Sequence, residues 1–262
     1  MPDALVSTRT ENGIAVLELN DPPANTYSYE MMQQLDAAIL WARMDDAVHV
    51  VVLRGAGDKF FCAGADIKRL SIASPRYKYY FCLHANETLN RLEQTPKLVI
   101  AALNGHTVGG GLEVAMAADL RIARKDGGKI GLPEVTLGVL PGTGGTQRLA
   151  RLVGGAKAIE LMATGRTFSF DEAHALGIVT HVFERERWWE QVIDYARQFC
   201  PPRGASRAVG AIKRSVVTGS EIALAEALAL ERELQQQLFE SDDASEGLRA
   251  YIEKRPPRFE GS

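Results

Sequence analysis

Two glutamates, each beside a glycine-containing loop, are the residues of this 262-residue chain best suited to acid–base chemistry. Glu113 follows three adjacent glycines, Gly109 to Gly111, and Glu134 follows Pro133, whose fixed φ helps to aim it. A carboxylate held beside a substrate carbon can take or give a proton, and a second carboxylate can activate water. Spacing alone leaves other interpretations open, because Glu113 could complement a helix dipole and Glu134 could be an exposed loop acid.

Backbone amides in two loops could supply the other half of such a site. The glycines at 109–111 let amides approach a ligand with no Cβ in the way, in anion-binding geometry at a helix start. Gly64 can adopt a conformation closed to other residues, which lets the amide of Ala65 point into a cleft. For that loop alone, a purely structural turn is an equally good interpretation. Amides from two loops that converge on one carbonyl oxygen would form an oxyanion hole and hold an enolate.

Buried strands that lead into these loops must position them. The continuous apolar runs at 48–53 and 97–103 predict strands covered on both faces, and the first is followed by a loop at 54–68. The repeat of strand, loop and helix predicts a right-handed α/β stack without fixing the number of units. The other elements predicted before residue 186 are a hairpin of strands 4–9 and 14–19, strands at 120–123 and 178–183, and helices from Ser28 to Asp45, from Ser74 to Pro96, at 112–118, at 156–164 and after a capping box at Ser169.

The remainder of the chain is predicted to be helical. The helices are expected at 186–199, 206–217, 222–239 and 242–253, separated by proline, glycine and capping residues. We divide the chain into a core of residues 1–200 and a C-terminal helical region of residues 201–262.

Composition and motifs exclude several classes of protein. Lys plus Arg total 30 against 33 Asp plus Glu, and this net charge of −3 gives no basic excess for nucleic acid. No signal pattern and no apolar run of ~18 residues is visible, so a soluble protein with no membrane partner is expected. The glycine-rich run at 138–148 lacks the Gly-Lys-Ser/Thr ending of a phosphate-binding P-loop and is interpreted as a tight turn into a helix.

The three cysteines, Cys62, Cys82 and Cys200, are far apart and form no Cys-x-x-Cys pair. This spacing argues against a disulfide framework and against a zinc site, and we expect no bound metal. A reducing compartment fits best, either the cytoplasm, which we favour, or an organelle matrix. Cys62 is interpreted as a small buried filler rather than a nucleophile.

Three segments in this order, 61–68, 104–113 and 131–148, resemble the signature of the crotonase superfamily, the enoyl-CoA hydratase/isomerase family. The match runs in register over almost the whole chain. It implies an α/β fold, a crotonase-like spiral of repeated ββα units with a C-terminal all-helical trimerisation region. The three motifs are specific for the superfamily and less specific for the reaction, since members catalyse hydration, double-bond isomerisation, thioester hydrolysis, decarboxylation or carbon–carbon cleavage on one oxyanion hole.

The resemblance also implies a role for each matching residue. The amides of Ala65 and Gly110 would form the oxyanion hole, and Glu113 and Glu134 match the two acids that hydratases share. Gly142 would lie near the water or the acyl group. The positions expected along the coenzyme A part of the substrate are Ala63, Asp66, Ile67 and Lys68, with the adenine near the first and last, and, from a neighbouring subunit of a homotrimer or hexamer, Phe239 and Lys254.

Because both acids are present, the expected reaction is syn addition of water across a trans-2-enoyl-CoA to give a 3-hydroxyacyl-CoA. Glu113 would orient and deprotonate the water, and Glu134 would exchange the proton at the α-carbon. No cofactor is expected, since coenzyme A enters as part of the substrate. The alternative within the family is an isomerase, lyase or hydrolase that acts on a branched or aromatic acyl-CoA.

A different class of function is less favoured. Some family members are reported to bind RNA through a Lys-rich helix, but the corresponding helix at 76–94 carries three basic residues against two acids, Glu87 and Glu93.

Two departures from the family pattern concern the acyl group. The loop 124–129 is about one residue longer than is common, and Thr143 replaces an alanine, so both are expected to affect acyl-chain preference.

Overall fold

The computed structural model describes residues 4–262, with ten strands and eleven α-helices assigned in that range. The strands are β1 (Val6–Glu11), β2 (Ile14–Leu19), β3 (Val50–Gly55), β4 (Phe60–Cys62), β5 (Leu98–Leu103), β6 (His106–Val108), β7 (Leu120–Arg124), β8 (Lys129–Gly131), β9 (Phe168–Ser169) and β10 (His181–Phe183). The helices are α1 (Tyr29–Met44), α2 (Ile67–Ile72), α3 (Pro75–Glu93), α4 (Gly110–Met116), α5 (Gly145–Val153), α6 (Gly155–Thr164), α7 (Phe170–Ala175), α8 (Trp188–Ala196), α9 (Ser206–Gly219), α10 (Leu224–Phe239) and α11 (Asp242–Glu253).

The strands form two sheets. The larger has six strands in the order β1-β2-β3-β5-β7-β10, and the smaller has four in the order β4-β6-β8-β9. The β1–β2 hairpin is antiparallel and turns at Asn12-Gly13, where both residues have positive φ, while every other pair of the larger sheet is parallel. In the smaller sheet only β9 runs antiparallel to its neighbour.

Successive strands alternate between the sheets. In each of the pairs β3–β4, β5–β6 and β7–β8, the first strand lies in the larger sheet and the second in the smaller sheet. The elements that follow these pairs are α2, α4 and a 3₁₀ turn, Glu134–Leu137. The predicted spiral of repeated ββα units is therefore confirmed. Its consequence for the site is that β4, β6 and β8 bring the loops that follow them to one edge.

The central strands are buried on both faces, as their continuous apolar sequences require. Side chains alternate, so that Val51 and Ala101 face the core beneath α1 and α3, whereas Val52 and Ile100 face α8. Trp188 and Val192 of α8 close that second core.

The C-terminal region is anchored to the core through α9. The Lys213 ammonium lies 2.9 Å from the Asp119 carboxylate and donates to the carbonyl of Lys97 at 3.1 Å. Both side chains are largely buried, which makes this pair a strong constraint on where α9 lies. Large apolar side chains remain exposed on α10 and α11, including Leu224, Tyr251 and Ile252. The division at residue 200 stays a prediction.

The long elements match the predictions and the short ones differ. The caps expected at Ser28, Ser74 and Ser169 are confirmed, since each side chain accepts a hydrogen bond from the backbone three residues on. The predicted loop 54–68 is wrong in two places, because it contains β4 and the start of α2. Both elements are too short to show a hydrophobic period. The helix predicted at 186–199 ends as α-helix at Ala196 and continues as a 3₁₀ turn to Phe199.

Membrane-spanning helices and clusters of metal-ligating side chains are absent from residues 4–262. None of the helices there combines the length and the apolar character needed to cross a membrane. No cluster of three or more His, Cys, Asp or Glu side chains in that range has the geometry of a metal site.

Candidate active site

A cavity of about 380 Å³ lies where the loops after β4, β6 and β8 meet. One wall is formed by residues 63–65 and another by Gly109, Gly110 and Glu113. Glu134 and Thr143 close the third side. A larger surface cavity of about 650 Å³ adjoins it at Leu140 and Gly142 but is lined by neither of the two acids. The smaller cavity is therefore the one that brings the two acids together with the two loops of the predicted oxyanion amides.

The amide of Ala65 is held in place by its neighbours. Gly64 has φ +87°, the left-handed conformation that glycine favours. Tyr27 donates from its amide to the Gly64 carbonyl at 2.9 Å and accepts from the Asp66 amide at 3.2 Å. These two hydrogen bonds flank Ala65 and leave its own N–H without an acceptor within residues 4–262.

The second amide belongs to Gly110, the first residue of α4. Like Ala65, it donates to no acceptor in the described part of the chain. A Cβ built on Gly64 would lie 2.9 Å from the Gly110 nitrogen, which shows how closely the two loops approach. Two unpaired amides at one cavity are the arrangement needed to stabilise an oxyanion.

Glu113 is almost fully buried, with 2% of its surface exposed. Its Oε1 accepts from the Thr143 amide at 2.8 Å and from the Gly145 amide at 2.7 Å, and its Oε2 accepts from the Thr143 hydroxyl. Burial raises the pKa of Glu113, and these donors lower it in part. Its side chain thus faces the loop between residues 142 and 145 and does more than complement a helix dipole.

Glu134 lies across the cavity at the start of a 3₁₀ turn, Glu134–Leu137. Its Oε1 is 3.0 Å from the position that a Cβ on Gly109 would take, and its buried Oε2 has no hydrogen-bond partner within residues 4–262. Burial, together with the charge of Glu113, raises the pKa of Glu134 to about 7. Because Glu113 has three donors and Glu134 Oε2 has none, a proton shared by the two acids is better placed on Glu134.

The other predicted binding residues are distributed unevenly. Ala63, Ile67 and Gly142 line the cavity. Asp66 instead caps α2 through hydrogen bonds from the amides of Lys68 and Arg69, and the Lys68 side chain is exposed outside the cavity.

Phe239 and Lys254 lie away from this cavity, at the ends of α10 and α11. Phe239 is 60% exposed, and Lys254 is an exposed C-cap with φ +55°. A single chain does not bring them to the acids, so their contact with coenzyme A in a neighbouring subunit stays a prediction.

Tyr27 was missed by reasoning from the sequence. Its ring is buried, stacks on Phe81 with centroids 5.8 Å apart and packs against Gly110. Its hydroxyl lies 3.1 Å from that of Thr143. Nothing in the local sequence before α1 marks Tyr27, because its partners lie far along the chain. Phe81 belongs to the hydrophobic core and also lines the cavity.

Two of the three cysteines lie at or beside the cavity. Cys62 is fully buried, which confirms its expected burial, and that burial raises its pKa to about 12. Cys82 lines the cavity, and burial raises its pKa as well.

A family model described as enoyl-CoA hydratase/isomerase matches residues 9–262. The chain is 37% identical over 246 residues to the short-chain-enoyl-CoA hydratase of Clostridium acetobutylicum, covering 94% of this chain and 93% of that one. It is 35% identical over 254 residues to the mitochondrial methylglutaconyl-CoA hydratase of Homo sapiens, covering 95% of this chain and 74% of that one.

The fold gives the same result. A crystal structure of an enoyl-CoA hydratase from Geobacillus kaustophilus HTA426 superimposes with a TM-score of 0.96 at 45% identity, over 100% of this chain and 98% of that one. With the family model matched over nearly the whole chain, and with the ββα spiral in place, this chain belongs to the enoyl-CoA hydratase/isomerase family of the crotonase superfamily.

Proposed function

We propose that this protein is an enoyl-CoA hydratase that adds water syn across the double bond of a trans-2-enoyl-CoA. The observation that carries the proposal is the position of Glu113 and Glu134 at one cavity that also holds the two unpaired amides of Ala65 and Gly110. Relatives named as hydratases act on short-chain and on methylglutaconyl thioesters, so the acyl group is left open.

The amides would bind the thioester carbonyl oxygen. As water adds to the β-carbon, electron density moves through the α-carbon to that oxygen and an enolate forms. Preorganised N–H donors stabilise this charge more than they stabilise the neutral ground state, so they lower the barrier. Gly64 leaves room for the oxygen, because a Cβ at that position would lie 2.9 Å from the Gly110 nitrogen.

The two acids would divide the proton transfers. Ionised Glu113 takes a proton from the water as its oxygen bonds to the β-carbon, and protonated Glu134 gives its proton to the α-carbon. The products are the 3-hydroxyacyl-CoA, a protonated Glu113 and an ionised Glu134. Return of one proton from Glu113 to Glu134 through solvent restores the starting state, so water is the only reagent consumed.

We also propose that the protein acts as a homotrimer or hexamer. The exposed apolar side chains of α10 and α11, among them Leu224, Tyr251 and Ile252, support an interface there. In such an assembly Phe239 and Lys254 would reach the coenzyme A bound by a neighbouring subunit.

We expect the purified protein to hydrate crotonyl-CoA. The measurement is the loss of conjugated-enone absorbance, with one atom of ¹⁸O from labelled water found at C3 of the product. A panel of medium-chain, branched and aromatic enoyl-CoAs then ranks kcat/KM. If every thioester gives only double-bond migration, free coenzyme A or a shortened acyl chain, the protein is an isomerase, hydrolase or lyase and the hydratase proposal is wrong.

A bell-shaped pH dependence of kcat/KM is expected, with its alkaline side near pH 7. Glu113 must be ionised, so activity falls as the pH drops through its pKa. Glu134 must be protonated, so activity falls as the pH rises through its pKa of about 7. Initial rates with crotonyl-CoA from about pH 5 to about pH 9 measure both sides. The alkaline side should vanish from the residual activity of Glu134→Gln, and a wild-type rate that stays flat above neutrality would contradict the assignment.

A further inference from the structure

Two buried hydroxyl groups connect Glu113 to Tyr27. The Thr143 hydroxyl donates to Glu113 Oε2, and the Tyr27 hydroxyl lies 3.1 Å from Thr143 Oγ1. Tyr27, Thr143 and Glu113 are 3%, 3% and 2% exposed, so these groups are shielded from bulk solvent. A hydrogen-bond chain shielded in this way holds its members in one geometry.

The direction of the hydrogens in this chain follows from the charge on Glu113. An ionised carboxylate only accepts, so Thr143 gives it the single hydroxyl hydrogen. Thr143 Oγ1 is then free to accept from Tyr27, and both hydroxyls point towards the charge.

Protonation of Glu113 changes the direction of these hydrogen bonds. Amides already occupy Oε1, so the proton goes to Oε2 and is donated to Thr143. Thr143 then either gives its hydrogen to Tyr27, whose own O–H loses its acceptor, or keeps accepting from Tyr27 while its own O–H has no acceptor within residues 4–262. A buried donor without a partner is unfavourable. The two hydrogen-bonded hydroxyl groups therefore favour the ionised form of Glu113.

Tyr27 also reaches the oxyanion side of the cavity. Its backbone holds the carbonyl of Gly64 and the amide of Asp66, on either side of Ala65. Its ring packs between Phe81 and Gly110, which fixes the direction of the hydroxyl. One residue thus ties the loop of the first oxyanion amide to the acid across the cavity.

We propose that Tyr27 and Thr143 are positioning residues whose hydroxyl chain holds Glu113 ionised and in a single orientation towards the cavity. The catalytic meaning of this role depends on the hydratase function proposed above. The proposed effect on the ionisation of the buried Glu113 carboxyl group does not depend on that function.

Other titratable groups also face Glu113 and contribute to the electrostatic environment of its carboxyl group. Glu134 approaches from the 3₁₀ turn after β8, Cys82 from α3 and Arg148 from α5, while Cys62 of β4 lies next to Gly111. Arg148 is the positive charge among them and also pairs with Glu93 at 2.9 Å. The variants below leave all of these groups unchanged.

The test compares Thr143→Val, Thr143→Ser and Tyr27→Phe with the parent protein. In each free protein, Glu113 is titrated by infrared spectroscopy through the carboxyl signal that Glu113→Gln lacks. A hydrogen bond to a charged group corresponds to about one to two pH units, so the midpoint should rise by that amount in Thr143→Val. Tyr27→Phe should raise it less, and Thr143→Ser should restore the parent midpoint. Thr88→Val, which removes a buried hydroxyl with no partner in the described chain, should leave it unchanged.

In the hydration assay the acidic side of the kcat/KM profile should move to higher pH in the same order. If Thr143→Val and Tyr27→Phe lower the melting temperature while the Glu113 midpoint stays at the parent value, the hydroxyls are merely structural and the inference is wrong. If the midpoints shift as expected but no variant and no parent protein hydrates an enoyl-CoA, the inference stands and the proposed function fails.

Discussion

Replacing either Glu113 or Glu134 by glutamine is expected to lower kcat for enoyl-CoA hydration by ~10²–10⁴-fold, the range for loss of a general acid or base. Both variants should fold. At position 113 the glutamine Oε1 can still accept from the amides of Thr143 and Gly145, and its Nε2 can donate to the Thr143 hydroxyl. At position 134 the buried Oε2 has no partner to lose within residues 4–262. For Glu134→Gln the loss should therefore appear in kcat and not in the melting temperature. Glu113→Gln should also lower the melting temperature, because its Nε2 donates to Thr143 and leaves one of the two buried hydroxyl hydrogens without an acceptor within residues 4–262.

The two variants separate the roles of the acids when a saturated acyl-CoA is incubated in D₂O. Exchange of its α-proton needs Glu134 and the oxyanion amides but no attack by water. Glu113→Gln should keep this exchange, whereas Glu134→Gln should lose it. Glu87→Gln, on the exposed side of α3, is the matched control and should retain both activities. Near-wild-type hydration by both glutamine variants would show that the acids do not carry the reaction.

The sequence was sufficient for the parts of the fold that have a clear period. Strands β3 and β5 are continuous apolar runs, and α1 and α3 have an apolar face with a serine cap, so their places follow from local patterns. The second sheet could not be found in this way, because its strands have only two or three residues. The sheet is visible only once the longer strands have placed its members side by side.

Some residues of the candidate site can likewise be recognised from local sequence patterns, and others cannot. Glu113, Glu134 and the two glycine loops stand out locally because glycine and an isolated acid are unusual beside buried strands. The hydroxyl residues Thr143 and Tyr27 do not stand out in this way, because Thr143 lies 30 residues from Glu113 and Tyr27 lies 116 residues from Thr143. Hydroxyl residues are common in every sequence, and only the fold shows which of them meet. The same limit explains why Thr143 was interpreted only as a neighbour of the acyl group.

The second large effect is expected at Gly110, and it follows from how tightly Tyr27 packs there. A Cβ at residue 110 would overlap the Tyr27 hydroxyl and lie within 2.7 Å of its ring carbons. Such an approach cannot be accommodated without moving the ring or the start of α4. Either movement displaces the Gly110 amide from its place beside Ala65.

Gly110→Ala should therefore lower kcat by ~10²–10³-fold, the loss found when one oxyanion donor is removed. Gly155→Ala is the matched control, because Gly155 is also the first residue of a helix and has open space where a Cβ would go. Circular dichroism melting identifies the folded variants, and hydration rates are compared among those alone. Because the obstacle is the ring of Tyr27, the double variant Gly110→Ala/Tyr27→Leu should recover part of the lost kcat. A folded Gly110→Ala protein with wild-type kcat would instead mean that this amide does not contact the reacting oxygen, and the oxyanion hole would have to be sought elsewhere in the cavity.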